Sequence, residues 1–287
     1  MKTTHSLAMA SIIATLTCTA ASAQDGFVGA SFGTLSGSNI YNDDEYAGQT
    51  GVIEGSIGYD FGKTRVIFDG RARALDMGLN EVESLNGDTG PASSLFALHA
   101  LYGIGETIDL GMFAAAGWAD NGEGQEQFAL SSFGIEAHYK FNDAITAYGQ
   151  IAQFEATRDD NSPNGTQDGT LVRLGANYSG FETTTLYADV QWASAADYED
   201  NGEDYEFHTV SIGGETMLGG TQFAMTYDVA LFGSTPVTDG DDDSLRSTEA
   251  SLGIRYYFGA TQSARASNHI GAPSLISETN MLSEMHD

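Results

Sequence analysis

The chain has 287 residues, of which 40 are acidic and 11 are basic, and its formal net charge is −29. This excess of negative charge excludes a nucleic-acid-binding protein, which needs a basic surface to neutralise phosphates. The only cysteine is Cys18, so disulfide bonds and thiolate metal sites are excluded from the rest of the chain. No later run of about 18 apolar residues predicts a membrane-spanning helix.

Residues 1–23 are typical of a secretory signal peptide. Lys2 supplies a positive start, a mostly apolar stretch follows, and Ala21-Ser-Ala23 ends the segment with small residues. The apolar stretch is too short, and too often interrupted by Ser and Thr, for a transmembrane helix. We expect cleavage after Ala23 and export through the inner membrane.

The hairpin at residues 51–74 shows the pattern that organises the whole chain. In its second half one face carries Val66, Phe68, Ala72 and Ala74, and the other face carries Arg65, Asp69, Arg71 and Arg73. Successive side chains of a strand point to opposite sides, so one side of this strand is apolar and the other is charged. A turn at 60–63 would place Glu54 beside Asp69 and diagonal to Arg71.

The same alternation recurs along the chain and predicts twelve β-strands. Their predicted bounds are 26–35, 48–60, 63–75, 93–104, 107–118, 127–141, 143–156, 169–179, 182–193, 206–218, 221–232 and 246–258. Apolar faces can be assigned to most of them, whereas 143–156 mixes apolar and polar residues on both faces. Aromatic residues gather near the strand ends, as at the two interfaces of a membrane.

The connections between these strands alternate between short turns and long loops. The short turns contain Gly, Asn or Asp, and the long loops contain 22 of the 40 acidic residues. Outer-membrane barrels have short periplasmic turns, long external loops and an even number of strands. We therefore predict an all-β fold in which residues 24–259 form a single antiparallel up-and-down transmembrane β-barrel of 12 strands. Its short turns would be periplasmic and its long acidic loops extracellular.

The last predicted strand contains Leu252-Gly-Ile-Arg-Tyr-Tyr-Phe258, which alternates large residues and closes on an aromatic residue. With the signal segment and the alternating hairpins, it resembles the porin-like family of Gram-negative outer-membrane β-barrels. The resemblance implies assembly into the outer membrane by the barrel-assembly machinery. It also implies contact with lipid and lipopolysaccharide, and passage of small polar solutes. Family general-diffusion porins have about sixteen strands and usually form trimers, so whether this chain forms a homo-oligomer is left open.

Residues 260–287 continue past Phe258, where porins of the family usually end. The segment is polar and contains Ser, Asn and Ala residues. It could lie in the periplasm, fold into the lumen or bind the cell wall. Its composition favours a disordered periplasmic tail.

The charged residues that the alternation places on the inner face are the candidate pore-lining residues. They are Glu54, Arg65, Asp69, Arg71, Arg73, Glu136, His138, Arg173, Asp189, Glu215, Asp228, Glu249 and Arg255. The ninth strand stands opposite the third, so Arg71 and Arg73 are expected to face Asp189 across the bore and to order water and polar solutes there. The alternative is that the inward charges pair across neighbouring strands and plug the bore.

The acidic loops raise the question of a metal site. Asp197, Glu199 and Asn201 match the first half of a calcium-binding loop loosely, but the twelfth position is His208 instead of a bidentate Glu. We expect no cofactor and no defined metal site, and at most weak divalent-cation binding by the loops.

These observations favour a porin-like channel of the cell outer membrane for passive diffusion of small polar solutes or ions, without enzymatic activity. Two alternatives remain open. A structural or adhesive barrel with a plugged lumen would act through its loops. An outer-membrane lipid hydrolase would need a Ser/His pair on the outer wall; Ser131 and His208 are the candidates, and no acid or amide is evident to orient them.

Overall fold

The computed structural model describes residues 25–39, 45–76, 92–120, 127–158, 166–196, 204–236 and 245–259, together with Gly271. Within these residues twelve β-strands follow one another along the chain. Their bounds are β1 Asp25–Asn39, β2 Glu45–Phe61, β3 Thr64–Asp76, β4 Ala92–Ile104, β5 Ile108–Asp120, β6 Gln127–Lys140, β7 Ile145–Arg158, β8 Thr166–Tyr178, β9 Thr184–Ala196, β10 Asp204–Met217, β11 Phe223–Pro236 and β12 Leu245–Gly259.

Each strand pairs antiparallel with its neighbours in the chain, and β1 pairs with β12 to close the ring. The closing register runs from Asp25 opposite Gly259 to Asn39 opposite Leu245. The predicted all-β, twelve-stranded antiparallel barrel is therefore confirmed. Closure pairs the backbone groups of all the described strands within the wall, which is the condition for strands to cross lipid.

Short turns join alternate strands at one end of the barrel. Gly62, Gly105 and Gly220 have φ angles of 69°, 72° and 70°, which glycine adopts without steric cost. At the turn before β7, the Asn142 side-chain oxygen accepts hydrogen bonds from the backbone N–H groups of Ala144 and Ile145. Most residues of the predicted long loops lie outside the described residues.

The strands extend further toward the long loops than the alternation predicted. β1 runs to Asn39 and β11 to Pro236, each four residues past its predicted end. An alternating sequence marks a strand only where its two faces meet different environments. We attribute the extra length to hydrogen bonds between strands that continue beyond the part of the wall that contacts lipid.

The register of the first hairpin differs from the prediction by two residues. The turn consists of Gly62 and Lys63, with Phe61 paired to Thr64. Glu54 therefore lies opposite Arg71, and Asp69 lies opposite Ser56 instead of Glu54. The position of the turn sets the register of a hairpin, and the observed turn is centred one residue later in the chain than the predicted turn at 60–63.

The outward faces of the strands are apolar and exposed. Phe32 is 77% exposed, Leu252 65% and Ile212 63%. Other large apolar side chains exposed on the wall are Leu98, Met112, Phe133, Ile135, Leu174, Val229 and Ile254. A continuous exposed apolar surface of this extent is typical of contact with lipid. No helix in the described part of the chain is long and apolar enough to cross a membrane.

Pairing with its neighbours settles the faces of β7, which the sequence left ambiguous. Tyr148, Gln150 and Phe154 are buried on the inner face. Ile151 is exposed on the outer face, opposite Ile135 of β6. In a closed barrel each strand inherits its inward and outward positions from the strands on either side.

Substitution of Val229, half-way along β11 on the outer face, tests the assignment of the wall. We expect Val229→Arg to lower the free energy of unfolding in lipid vesicles by about 2–4 kcal/mol, because a charge is costly at the bilayer midplane. Leu218→Arg, at a short turn, should cost no more than about 1 kcal/mol, because the interface is hydrated. Denaturant titration followed by tryptophan fluorescence measures both, and equal costs would contradict the assignment.

Candidate functional site

The inner face of the barrel carries every residue that the alternation predicted to line a pore. All have the inward parity of their strands and lie in or beside the polar lumen; they are Glu54, Arg65, Asp69, Arg71, Arg73, Glu136, His138, Arg173, Asp189, Glu215, Asp228, Glu249 and Arg255. The structure places these residues on the inner face. Their role as the lining of a conducting pore stays a prediction.

Near the short-turn end, arginines on β3 and β12 are held by carboxylates from several strands. Arg65 lies 2.5 Å from Asp25 and 3.2 Å from Asp60. Arg255 lies 2.7 Å from Glu54 and 2.9 Å from Glu215. Glu54 is on β2 and Glu215 on β10, so Arg255 connects strands that are not adjacent. The two bonds of Arg255 therefore extend past a neighbouring strand, whereas the bond between Arg65 and Asp60 joins adjacent strands.

Two aromatic residues complete this end of the lumen. The hydroxyl group of Tyr257 donates a hydrogen bond to Glu215 at 2.5 Å. The guanidinium carbon of Arg255 lies 4.6 Å from the centre of the Phe27 ring, within the range of a cation–π contact. Glu215 and Tyr257 are 2% and 1% exposed, so these two side chains are buried inside the barrel.

Further along the axis, Arg73 of β3 binds Glu249 of β12 at 2.8 Å. The hydroxyl group of Thr50 donates a hydrogen bond to the same carboxylate. Two strands, β1 and β2, separate the partners in the wall. The side chain of Arg73 is 2% exposed. This ion pair therefore also spans part of the lumen.

His99 of β4 stands between two carboxylates in the middle of the barrel. Its Nδ1 atom lies 2.9 Å from Glu136, and its Nε2 atom lies 3.1 Å from Asp69. The side-chain amide of Gln150 donates a hydrogen bond to the other oxygen of Glu136 at 3.0 Å. His138 lies 3.9 Å from Glu136. These residues link β3, β4, β6 and β7 along the inner wall.

Asp189 is bound on its own side of the barrel. Arg173 of the neighbouring β8 contacts it at 3.1 Å, and the hydroxyl group of Tyr148 donates to it at 3.0 Å. That Arg71 and Arg73 act together opposite Asp189 across the bore stays a prediction. Arg73 is paired with Glu249, whereas Arg71 has no ion-pair partner among the described residues.

A cavity of about 230 Å³ occupies the lumen between these groups. Its charged lining comprises Glu54, Asp69, Arg71, Arg173, Asp189, Asp228, Glu249 and Arg255. Arg71 and Asp189 thus face the same space from β3 and β9. Hydroxyl groups of Ser31, Thr209 and Thr226 also line the cavity. The arrangement surrounds the cavity with hydrogen-bond donors and acceptors.

One side of the lumen at the long-loop end is apolar, which the alternation did not predict. A buried cluster there consists of Ala119, Leu130, Phe154, Ala156, Leu171, Ala193, Ala195 and Phe207. These residues have inward parity on β5 to β10, where the sequence suggested a polar interior. Their contact with one another narrows the lumen at this end.

Sequence reasoning missed the uncharged polar partners of the network. Gln150 and Tyr148 lie on β7, whose faces could not be assigned, and Tyr187 holds Asp228 through a hydrogen bond of 2.7 Å. In the sequence, only their position in the alternation of each strand could have indicated that they point inward. Tyrosine and glutamine suit either face of a strand, so composition alone does not place them.

Of the predicted tail 260–287, only Gly271 falls within the described residues, and it lies inside the barrel. Its carbonyl oxygen accepts a hydrogen bond of 3.1 Å from the side-chain amide of Gln150. Gly271 also lines the central cavity. For this residue, the interior position differs from the periplasmic position expected from composition.

The alternative chemistries find no assembled site in the described residues. No group of three or more His, Cys, Asp or Glu side chains there could hold a metal ion. The loop candidates Asp197, Glu199 and Asn201 lie outside the described residues. Ser131 and His208 are both exposed on the outer face, but β7, β8 and β9 separate their strands in the wall. The structure does not bring them together as a pair.

No family model matches the chain, and no curated protein matches its sequence. Its structure is similar to the translocator domain of the autotransporter NalP from Neisseria meningitidis, with a TM-score of 0.52 and 13% identity over 88% of this chain and 98% of that one. It is also similar to the NanC porin, with a TM-score of 0.54 and 7% identity over 80% of this chain and 98% of that one. The fold is that of an outer-membrane β-barrel.

These two similar structures are of different kinds, a porin and an autotransporter translocator domain. At 7% and 13% identity the similarity shows the fold and assigns neither a solute nor an activity. A function therefore has to be inferred from the side chains that line the lumen.

Removal of Arg255 tests whether the inner ion pairs support this barrel. We expect Arg255→Ala to lower the free energy of unfolding by about 3–5 kcal/mol, because the buried Glu215 would lose the arginine that compensates its charge. Lys140→Ala is the matched control, since its partner Asp143 is fully exposed and a surface pair contributes little. Denaturant titration of the refolded protein measures both. Equal stabilities of the two variants would show that the lumen is wet enough to solvate Glu215.

Proposed function

We propose that this chain forms a narrow channel in the cell outer membrane, through which small polar solutes or ions diffuse passively. The observation that carries the proposal is the charged and hydroxyl-lined cavity inside a wall with an apolar outer face. Acyl chains would contact the outside, and water would occupy the centre. Lipid, lipopolysaccharide and the barrel-assembly machinery are the partners that such a location implies.

The strand number and the ion pairs favour a small open section. A barrel of twelve strands lies between an eight-stranded barrel, filled by side chains, and the wide sixteen-stranded porins. The pairs Arg73–Glu249 and Arg255–Glu215 each connect non-adjacent strands, and their side chains extend into the lumen. Only solutes that fit beside these side chains would pass.

The charges that face the cavity favour polar over apolar solutes. Arg71 lies on β3, whereas Asp228 lies on β11 across the lumen. Opposite charges on facing walls produce a transverse field that orients water and dipolar solutes. Arg71 would contribute most to an anion's passage, because its charge is not neutralised by a neighbouring carboxylate.

We propose that the chain is not an enzyme. Ser131 and His208 lie on strands that are not neighbours, which disfavours an outer-wall lipid hydrolase. The structural alternative, a barrel with a closed lumen, differs from a channel in one measurable respect. It would carry no ionic current in a planar bilayer.

Removal of the Arg71 charge is the test of the channel. We expect Arg71→Ala to raise the preference for cations over anions about sevenfold, because a unit charge about 7 Å from a passing ion changes its energy by ~0.6 kcal/mol in water, with opposite signs for a cation and an anion. Reversal potentials across planar bilayers under a KCl gradient measure this preference.

Arg246→Ala is the matched control for that experiment. It removes the same charge from an exposed outward position on β12 and should leave the ion preference unchanged. An absence of current from the unmodified protein would contradict the proposed channel. An ion preference that is the same with and without Arg71 would remove that residue from the pore.

A further inference from the structure

Arg71 presents a guanidinium group to the central cavity of about 230 Å³. It forms no ion pair within the part of the chain that the structure describes, and its Nε atom has no hydrogen-bond partner there. The side chain is only partly buried, so it can be reached from the cavity. A guanidinium group can donate two parallel hydrogen bonds to one carboxylate. Arg71 is therefore a site for a carboxylate that comes from a solute.

A solute with a negative charge alone would meet an excess of carboxylates in this cavity. Five carboxylates and three arginines line it. Arg73 binds one of these carboxylates, that of Glu249, and the carboxylates remain in excess even when Arg73 is counted. Asp69 lies two positions before Arg71 on the same face of β3. Repulsion between like charges is stronger in a narrow lumen than in bulk water, so an anion at Arg71 needs a positive group beside it.

Asp228 of β11 provides a place for such a positive group. Its carboxylate lines the cavity and accepts a hydrogen bond of 2.7 Å from the hydroxyl group of Tyr187. Ser251 lies opposite Asp228 in the register of β11 and β12 and lines the same cavity, as does Ser31 of β1. An ammonium group has three donors, so it suits a carboxylate with hydroxyl groups close by.

We infer that the central cavity binds a small zwitterionic amino acid, with its carboxylate on Arg71 and its ammonium group on Asp228. Three strands, β2, β1 and β12, separate the two residues in the wall, so their charges face the cavity from different directions. The cavity has room for several water molecules, which the solute would displace. The inference rests on the proposed channel, because it names the class of polar solute that the channel passes.

Binding can be measured without transport, by ligand-observed NMR titration of the refolded protein in detergent micelles. The probes are glycine, 4-aminobutanoate and 6-aminohexanoate, which are zwitterions of increasing length. Butanoate and butylammonium carry only one of the two charges. We expect one of the zwitterions to bind about tenfold more tightly than either singly charged probe, because it satisfies both residues. Equal binding of butanoate and the best zwitterion would overturn the inference.

Two variants assign the two ends of the solute. Arg71→Gln and Asp228→Asn should each weaken binding of the best zwitterion about tenfold. Asp228→Asn should at the same time strengthen binding of butanoate, because it removes a repulsive charge, whereas a merely structural defect would weaken both. Arg246→Gln and Glu182→Gln are the matched controls, since both residues are exposed and neither lines the cavity. The comparison of probes on the unmodified protein does not depend on the folding of any variant.

Currents across planar bilayers separate this inference from the proposed channel. In the unmodified protein, the best zwitterion should reduce the KCl current in a saturable manner, with half the effect at the concentration that half-saturates binding. Selective binding of the zwitterion without any current would retain the binding site and contradict the channel. Current without selective binding would retain the channel and overturn the binding site.

Discussion

The hydrogen bonds between β1 and β12 are the interaction on which the rest of this structure depends. They close the ring, so the described strands leave no row of backbone groups unpaired. In hydrocarbon, each unpaired backbone group costs several kcal/mol, and only helices and closed barrels avoid that cost. Closure also fixes which residues point inward on all twelve strands at once. The concentration of arginines and carboxylates in the lumen is a direct consequence.

Because these charges are confined in the lumen, their pairing with one another determines which of them stay unpaired among the described residues. Glu54 lies opposite Arg71 in the register of β2 and β3, yet its carboxylate binds Arg255. Arg255 is held over the ring of Phe27 and binds Glu215 as well, so it draws Glu54 toward the short-turn end. Arg71 consequently faces the cavity unpaired among the described residues. The free charge in the lumen arises from competition between two arginines for one carboxylate.

The sequence predicted the strands wherever the two faces of a strand meet different environments. This held for β11 and β12, whose apolar faces meet the exterior, and it assigned Asp189 and Arg173 to the interior. It failed where the faces are alike, as in β7 and at the long-loop ends, where an apolar cluster around Phe154 lies inside the barrel. Pairing partners within the lumen depend on register and side-chain reach, and a turn placed one residue later in the chain was enough to change the residue opposite Glu54 from Asp69 to Arg71.

The two ends of the lumen are narrowed by different chemistry, and this sets how rigid each end is. At the long-loop end, buried apolar side chains on β5 to β10 pack against one another. At the short-turn end, Arg255, Glu215 and Tyr257 form a packed group that carries charge. In the proposed channel, a solute that separated Arg255 from Glu215 would remove a compensating charge from a buried carboxylate, at a cost of about 3–5 kcal/mol. A diffusing solute would have no energy source to offset that cost, so it would have to pass beside an intact ion pair. The short-turn constriction would then act as a fixed sieve.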